Sequence, residues 1–269
     1  MLAGKLAAEK RNGGEPLLIL LEKIAKWVFL LSLATLVLSW WHRDSLPDPG
    51  FYTRSIEEEP RQVATDVAEF TARAVDQRYT VKPLYAYELD GVVVSMHHAG
   101  SWIDIYHDDW QDYLNLKDIC VIWGDNVRSA VYRDMDFENT TWTCWASWPN
   151  GAVARLFNND QLSNNHLLAD RPSVQQAIMA ARPGDQIRLR GYLAEYRNPA
   201  NGFERGTSTT RTDRGNGACE TVFVDRFRIV RAANSGWRSL FELSKWLAPL
   251  SGIAFLVLLG FTPVQRRYH

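Results

Sequence analysis

His97, His98, Asp104, His107, Asp108 and Asp109 crowd into thirteen residues of this 269-residue chain. Imidazole and carboxylate are ligands that zinc and other divalent metals take, so His97, His98 and His107 are the candidate metal ligands. The strand period counts against them, because successive side chains of a strand point to opposite faces and would separate His97 from His98. No HExxH and no Cys/His ladder is present, and Asp108 and Asp109 also suit the cap of a short helix through Trp110 to Leu114. A second group is the segment 204–220, ERGTSTTRTDRGNGACE, in which hydroxyl residues alternate with Arg205, Arg211, Arg214 and three glycines. Backbone N–H groups in glycine turns, with guanidinium forks beside them, can cradle an anion, which makes Arg205, Arg211, Asp213 and Arg214 candidate binding residues. Its spacing matches no phosphate-loop pattern. Trp102 and Trp110 lie in polar surroundings and are candidates for stacking on a sugar or a partner, whereas Trp123, Trp142, Trp145 and Trp148 sit in apolar, strand-like stretches and read as core. For catalysis there is no GxSxG elbow. Asn164-Asn165-His166 reads as a polar loop in which His166 would orient against Asp170 or Glu220, and an assembly of Arg211, Asp213, Arg214 and Glu220 has no fixed spacing behind it.

The elements that must position these groups follow from period and punctuation. Residues 43–82 read as a linker followed by an amphipathic helix. Glu57 to Glu59 and Pro60 mark its start, Val63, Val67, Phe70 and Ala74 form one stripe, and it ends near Tyr79. From Tyr85 the period changes to two. Tyr85 to Leu89 and Val92 to Met96 read as two strands around an Asp90-Gly91 hairpin turn, with one long strand bulged at Gly91 as the alternative. ICVIW (119–123) and WTCWASW (142–148) read as buried strands. Ser173 to Ala181 reads as a short helix with Ser173 as N-cap, and Gln186 to Tyr196 and Thr221 to Val230 are the closing strands.

Three strands, a helix and two strands is the order of an OB-fold. The stretch 183–193, PGDQIRLRGYL, resembles the fourth strand of bacterial OB-fold domains, where a Gly-Asp turn precedes an alternating strand with a central Gly at a bend. The resemblance is one of topology. It implies a β-barrel domain over 83–235, with the long 198–217 connection bordering its ligand face.

Two apolar runs bracket this region. Trp27 to Trp41 is free of charge, and with Ile24 and Ala25 it gives a span over 24–42, flanked by Lys23 and Lys26 on one side and by Trp40 and Trp41 on the other. No small-x-small cleavage site follows, so it reads as a retained signal-anchor. Trp246 to Thr262 is a second uncharged run, and its Pro249, Gly252 and Gly260 are tolerated in membranes. Ser251, Gly252 and Gly260 offer small surfaces to another helix. Residues 1–23 read as a cytoplasmic or interfacial segment, 236–245 as a connector and 263–269 as a cytoplasmic tail. Lys10, Arg11, Lys23 and Lys26 place the N-terminus in the cytoplasm and the domain in the periplasm of a bacterial inner membrane.

Residues 42–245 carry 23 basic against 28 acidic residues, a mildly acidic balance that makes nucleic acid no expected partner. Three cysteines leave one unpaired, and Cys144–Cys219 is the expected disulfide because Cys120 lies in the apolar strand. No cofactor is expected. The reading is a two-span membrane protein that carries a mainly β, OB-like domain. It serves as an accessory subunit that binds a membrane-protein partner, a second copy of itself or a glycan, with a metal-dependent hydrolase as the rival.

Overall fold

The computed structural model describes residues 2–100, 105–213, 215 and 218–262; for 2–15 and 105–106 it describes the backbone without side chains. The chain divides into two units, residues 45–233 and the flanking segments 1–44 with 234–269. In chain order the elements are α1 (Leu2–His42), β1 (Arg61–Ala64), β2 (Phe70–Ala74), β3 (Gln77–His98), α2 (Ile105–Asp109), β4 (Asn115–Ile122), α3 (Asp125–Arg128), β5 (Asp136–Asn139), β6 (Cys144–Ser147), α4 (Gly151–Leu156), β7 (Leu162–Leu168), α5 (Pro172–Ala180), β8 (Gln186–Asn198), β9 (Phe203–Arg205), β10 (Glu220–Arg231) and α6 (Ser235–Phe261). The chain is thus mainly sheet between an N-terminal and a C-terminal helix.

β3 organises the 45–233 unit. The expected hairpin at Asp90-Gly91 does not form; the segment runs straight on as one 22-residue strand. Its first part pairs with β8 from Thr80 to Val92, and its last part pairs with β4 from Val92 to His98. Gly91 sits where one partner gives way to the other. A Cβ there would lie 2.5 Å from Val121 and 2.8 Å from the Ile122 carbonyl oxygen, so the glycine serves a close approach of β4 and no turn. Register shifts fall at Pro83/Tyr85 and Val93/Ser95. β4 pairs in turn with β7, β7 with β10, and β10 with β8; only β7 and β10 run parallel.

The expected helix over 57–79 is also absent. Arg54–Glu57 makes a single 3-10 turn, β1 pairs along the middle of β3, and β2 folds back on the start of β3. Val63 and Val67, two members of the proposed apolar stripe, are 49% and 42% exposed. The β-branched residues here favour extended backbone, and the open edges of the long β3 supply the hydrogen bonds. The stretch 142–148 is corrected as well. Only Cys144–Ser147 is a strand, it pairs with β5 in a separate two-stranded sheet, and Trp145 and Trp148 are exposed. The third strand before α5 is instead β7, in the segment read above as a polar loop.

Two packed layers hold the sheet. On one face Leu89, Ile119, Val121, Leu167, Ile187 and Leu189 join Val174 and Ile178 of α5. On the other, Val92, Cys120 and Ile122 pack against Tyr52, Ile56, Val127 and Tyr132. β4 is therefore buried on both faces, which explains its continuous apolar run. Pro172 occupies the first turn of α5 and Arg171 the cap position, two residues before the expected Ser173.

Gly191 of β8 stands opposite Val224, next to the register shift between Val224 and Arg226. A Cβ on Gly191 would press into the Phe223 carbonyl oxygen, well inside contact distance. Gly191→Ala is expected to cost about 3 kcal/mol in a urea titration, because backbone atoms cannot step aside as a side-chain end can. An unchanged midpoint would refute this account.

Gly184, at φ +88°, closes the same unit. A Cβ there would lie 2.9 Å from the Ser45 carbonyl oxygen and 3.0 Å from the Ala233 Cβ. The Asp185 carboxylate accepts a hydrogen bond from the Ala233 N–H at 2.8 Å. The first and last residues of the unit thus meet at one turn.

In the other unit, α1 and α6 lie antiparallel. His42 stacks on Trp237 with ring centroids 4.9 Å apart, and Phe29 lies 3.1 Å from where a Gly252 Cβ would be. Ser32, Ser39, Ser244, Ala248 and Ser251 are buried between the helices. The small residues of the second apolar run, Ser251 and Gly252, therefore seat the chain's own first helix, while a Cβ on Gly260 would meet nothing within 4 Å among the described residues. By length and composition, one described helix, Ser235–Phe261, is long and apolar enough to cross a membrane.

Candidate functional site

Strand alternation and register gather a row of polar side chains on the outer face of the sheet. Ser95 of β3 stands opposite Cys120 of β4, and Cys120 opposite Asn164 of β7. Glu220 of β10 pairs in parallel with Asn165, which puts Cys219 beside Asn164. Two residues along, the next row is His97, Asp118, His166 and Thr221. Because alternate residues share a face, both rows look the same way.

The second row is an ion pair inside the protein. Asp118 and His166 are almost completely buried, with His166 Nδ1 2.6 Å from Asp118 Oδ1. Asn115 Nδ2 donates to the same carboxylate oxygen at 3.0 Å and lies 3.0 Å from His107 Nε2. Asp112 continues the network; the Tyr196 hydroxyl donates to it at 2.6 Å, His107 stands 3.8 Å away and Arg205 3.9 Å. Arg205 also reaches His166 Nε2 at 3.3 Å and lies over the Trp142 ring at 4.3 Å. His107 and Trp110 both stack on Trp142, at 4.7 and 5.2 Å.

These positions set the charges. Burial pushes the Asp118 carboxyl up, but the His166 charge and hydrogen bond outweigh it and hold the group below the usual carboxylate range. Burial pushes the His166 imidazole down, yet Asp118 overcomes that and raises it to about 9. Asp112 is raised, chiefly by burial. Glu220 is raised by burial to about 7 against the Arg211 charge.

A raised histidine stabilises the fold fully below its unfolded value near 6.5 and loses that contribution as pH rises through about 9. The pair should therefore lose about 3 kcal/mol between those limits. Glu220 loses stability in the same direction, from the ordinary carboxylate range up through about 7. The His166 component is accordingly read as the difference between wild type and His166→Gln in denaturant titrations from pH 6 to 10. Parallel curves for the two would exclude the ion pair.

The Arg-rich segment is turned inward. Arg211 pairs with Glu220 and donates to the Tyr87 hydroxyl at 2.8 Å. Asp213 accepts from Ser208 Oγ at 2.8 Å and from Thr210. Thr207 Oγ1 accepts from the Thr221 N–H, and Ser208 N–H donates to the Cys219 carbonyl. These side chains pin the described part of the loop to the sheet. Trp102, Asp104 and Arg214 lie outside the described residues. Of the proposed metal ligands, His97 joins the Asp118 row, His98 faces the other way opposite Lys117, and His107 lies under Trp142. Burial first, then the Lys117 and Arg182 charges, lower His98 to about 4. Among the described residues no three His, Cys, Asp or Glu side chains stand together as a metal site.

The disulfide joins Cys120 to Cys144 across a Cα separation of 5.8 Å and leaves Cys219 as a thiol, in place of the expected Cys144–Cys219 bond. Burial of Cys120 in an apolar strand is no obstacle, because β6 lies against that face. Asn164 Nδ2 donates to Cys219 Sγ at 3.3 Å, the thiol donates to the Trp142 carbonyl oxygen at 3.5 Å, and it is among the neighbours that raise His166. A cleft of about 460 Å³ opens here, lined by Trp142, Cys144, Trp145, Asn164, Arg211 and Cys219. His166 was singled out from sequence with Asp170 or Glu220 as its partner; its partner is Asp118. Asp112, Asn115, Asp118 and the Cys219 thiol were missed. The legible signal was polar residues next to apolar ones within two short segments, Lys117 and Asp118 before ICVI in β4 and Ser163 to His166 before two leucines in β7. Comparison with protein-family models, with curated proteins and with solved structures finds no match.

Proposed function

We propose that the chain is an integral membrane protein of the bacterial envelope. In this reading α1 and α6 cross the membrane as a hairpin, and the 45–233 unit is an extracytoplasmic, OB-like domain that acts as an accessory subunit for a protein partner. The observation that carries the reading is the exterior of the hairpin. Leu31, Trp41, Trp246, Leu250, Leu256 and Phe261 are each more than 60% exposed. An apolar surface of that extent belongs in lipid, and the hydroxyls of Ser32, Ser39 and Ser251 bond their own helix carbonyls, as a bilayer requires. The OB-like assignment rests on the pairing circuit β3, β4, β7, β10, β8 and back to β3, parallel only at β7 and β10, with α5 between the third and fourth strands. The Cys120–Cys144 disulfide supports the extracytoplasmic side, since such bonds persist in oxidising compartments. Trp145 and Trp148 on and beside β6, with Trp110, supply the exposed aromatics that anchor protein interfaces.

Alkaline carbonate extraction of membranes containing the full chain tests the anchor. The chain is expected in the pellet, and its release to the supernatant would refute the hairpin. Purification in mild detergent tests the partner. A stable co-purifying membrane protein is expected with wild type and its loss with Trp145→Ala/Trp148→Ala, whereas a lone monomer in both preparations would remove the accessory-subunit reading.

A further inference from the structure

We propose that Cys219, His166 and Asp118 form a thiol–disulfide exchange site whose substrate is a disulfide, in the first instance the chain's own Cys120–Cys144 bond. The inference stands on placement. Cys120, Asn164 and Cys219 occupy one row on one face of three adjacent strands, β4, β7 and β10. Adjacent strands lie about 4.8 Å apart, so two spacings, about 10 Å, separate the Cys120 and Cys219 backbones. Cys144 belongs to β6, which lies over this face, and it lines the same cleft as Cys219. Asn164 ties the assembly together. Its Nδ2 donates to Cys219 Sγ at 3.3 Å, and its Oδ1 accepts at 2.9 Å from Asn139, the residue paired with Cys144 in the β5–β6 ladder.

The remaining parts are those a reactive thiol needs. His166 shares the sheet face of Asn164 and Cys219, with the thiol among the neighbours that raise it, and is itself held by Asp118 at 2.6 Å, with Asn115 fixing the carboxylate. Arg205 faces the same imidazole at 3.3 Å and adds positive charge beside it. The thiolate, not the thiol, is the attacking species, and a neighbouring imidazolium favours it. Cys219 is partly exposed in an open cleft, while Cys120 is fully buried.

The step balances without an outside oxidant or reductant. The Cys219 thiol loses its proton to solvent, and the thiolate, beside the His166 imidazolium, attacks Cys144 Sγ. The Cys144–Cys219 bond forms as the Cys120–Cys144 bond breaks, and Cys120 leaves as thiolate and takes a proton from solvent. One disulfide and one thiol stand on each side. The product fastens the start of β10 to β6 at the cleft that Cys144 and Cys219 line. Asp118 is a positioning residue, acting on sulfur only through His166.

The test uses the full chain in detergent. In Cys120→Ala, exposure to oxidised glutathione at pH 7 is expected to give the Cys144–Cys219 bond within minutes, read by non-reducing peptide mapping after acid quench. Adding His166→Gln should slow bond formation by about ten-fold, because the positive charge beside the attacking sulfur is lost. The same change should leave the rate at pH 10 nearly unaltered, which a purely structural role would not predict. Glutathione adducts on Cys144 and Cys219 with no bond between them would show that the two sulfurs cannot meet and would overturn the proposal. If Cys120→Ala does not fold, the wild-type chain decides. A Cys144–Cys219 fragment in its map at pH 8, absent from Cys219→Ser, supports exchange; Cys120–Cys144 with free Cys219 throughout overturns it.

Discussion

Asp118→Ala lowers the unfolding free energy by about 3–5 kcal/mol, the expected cost of removing one member of a buried ion pair and leaving the other charged. The magnitude follows from what remains. His166 is fully enclosed and would keep Arg205 3.3 Å from its Nε2 with no counter-charge at Nδ1. Asn115 would lose the acceptor for its Nδ2. Asp118→Asn should cost less, because an amide oxygen can still accept from one neighbour. The double variant Asp118→Asn/His166→Gln should cost less than the sum of its parts, since neither charge is left behind. Urea titration of the four proteins at pH 7 gives the cycle, and strict additivity would mean that the two side chains do not act as a pair.

Lys117→Met is the second large effect, expected at about 3 kcal/mol. Lys117 is completely buried, and its Nζ donates to the carbonyl oxygens of Ile178, Met179 and Ala181 at 3.4, 3.2 and 2.6 Å. These are carbonyls at the C-terminal end of α5, where the helix has no further N–H groups to offer and where the macrodipole favours a cation. Methionine fills nearly the same volume but donates nothing, so buried acceptors lose their partner. Lys82→Met is the control. Lys82 pairs with Glu195 at the surface, more than half exposed, and its loss should stay under about 1 kcal/mol. Equal effects of the two substitutions would mean that the Lys117 bonds contribute nothing to stability.

Lys117 and Asp118 also show what the sequence makes legible. Both stand in β4, whose apolar ICVI marked it as a strand. Alternation then assigns Lys117 and Asp118 to opposite faces, but no local rule says what covers either face. The carbonyls that meet Lys117 come from sixty residues away, and the imidazole that meets Asp118 comes from a stretch whose Asn and His suggested a loop. β8 and β10 were readable because their two faces differ in polarity. β7 was not, because its polar residues are buried against insertions and not exposed to water. The residues 57–79 carried a helical period by coincidence of a few valines, and extended pairing with β3 overrode it. The order of strands around α5 was anticipated, with the single long strand of the alternative reading in place of the hairpin, although β7 fills the place given to 142–148. Of the candidate binding residues, Arg205 and Trp110 do belong to the Trp142 cluster, while Arg211 and Asp213 hold the loop itself.

The turn at Gly184 has a mechanical meaning. Ser45 and Ala233 both lie against the same turn, so the 45–233 unit is a bead inserted at a single point of the chain and not a link in series with it. Tension drawn along the flanking segments would first part that junction and would not be carried through the sheet. For the same reason the unit is suited to transplantation: a loop of another protein only a few ångströms wide could receive it, and its own two ends could be joined to each other with a linker of very few residues.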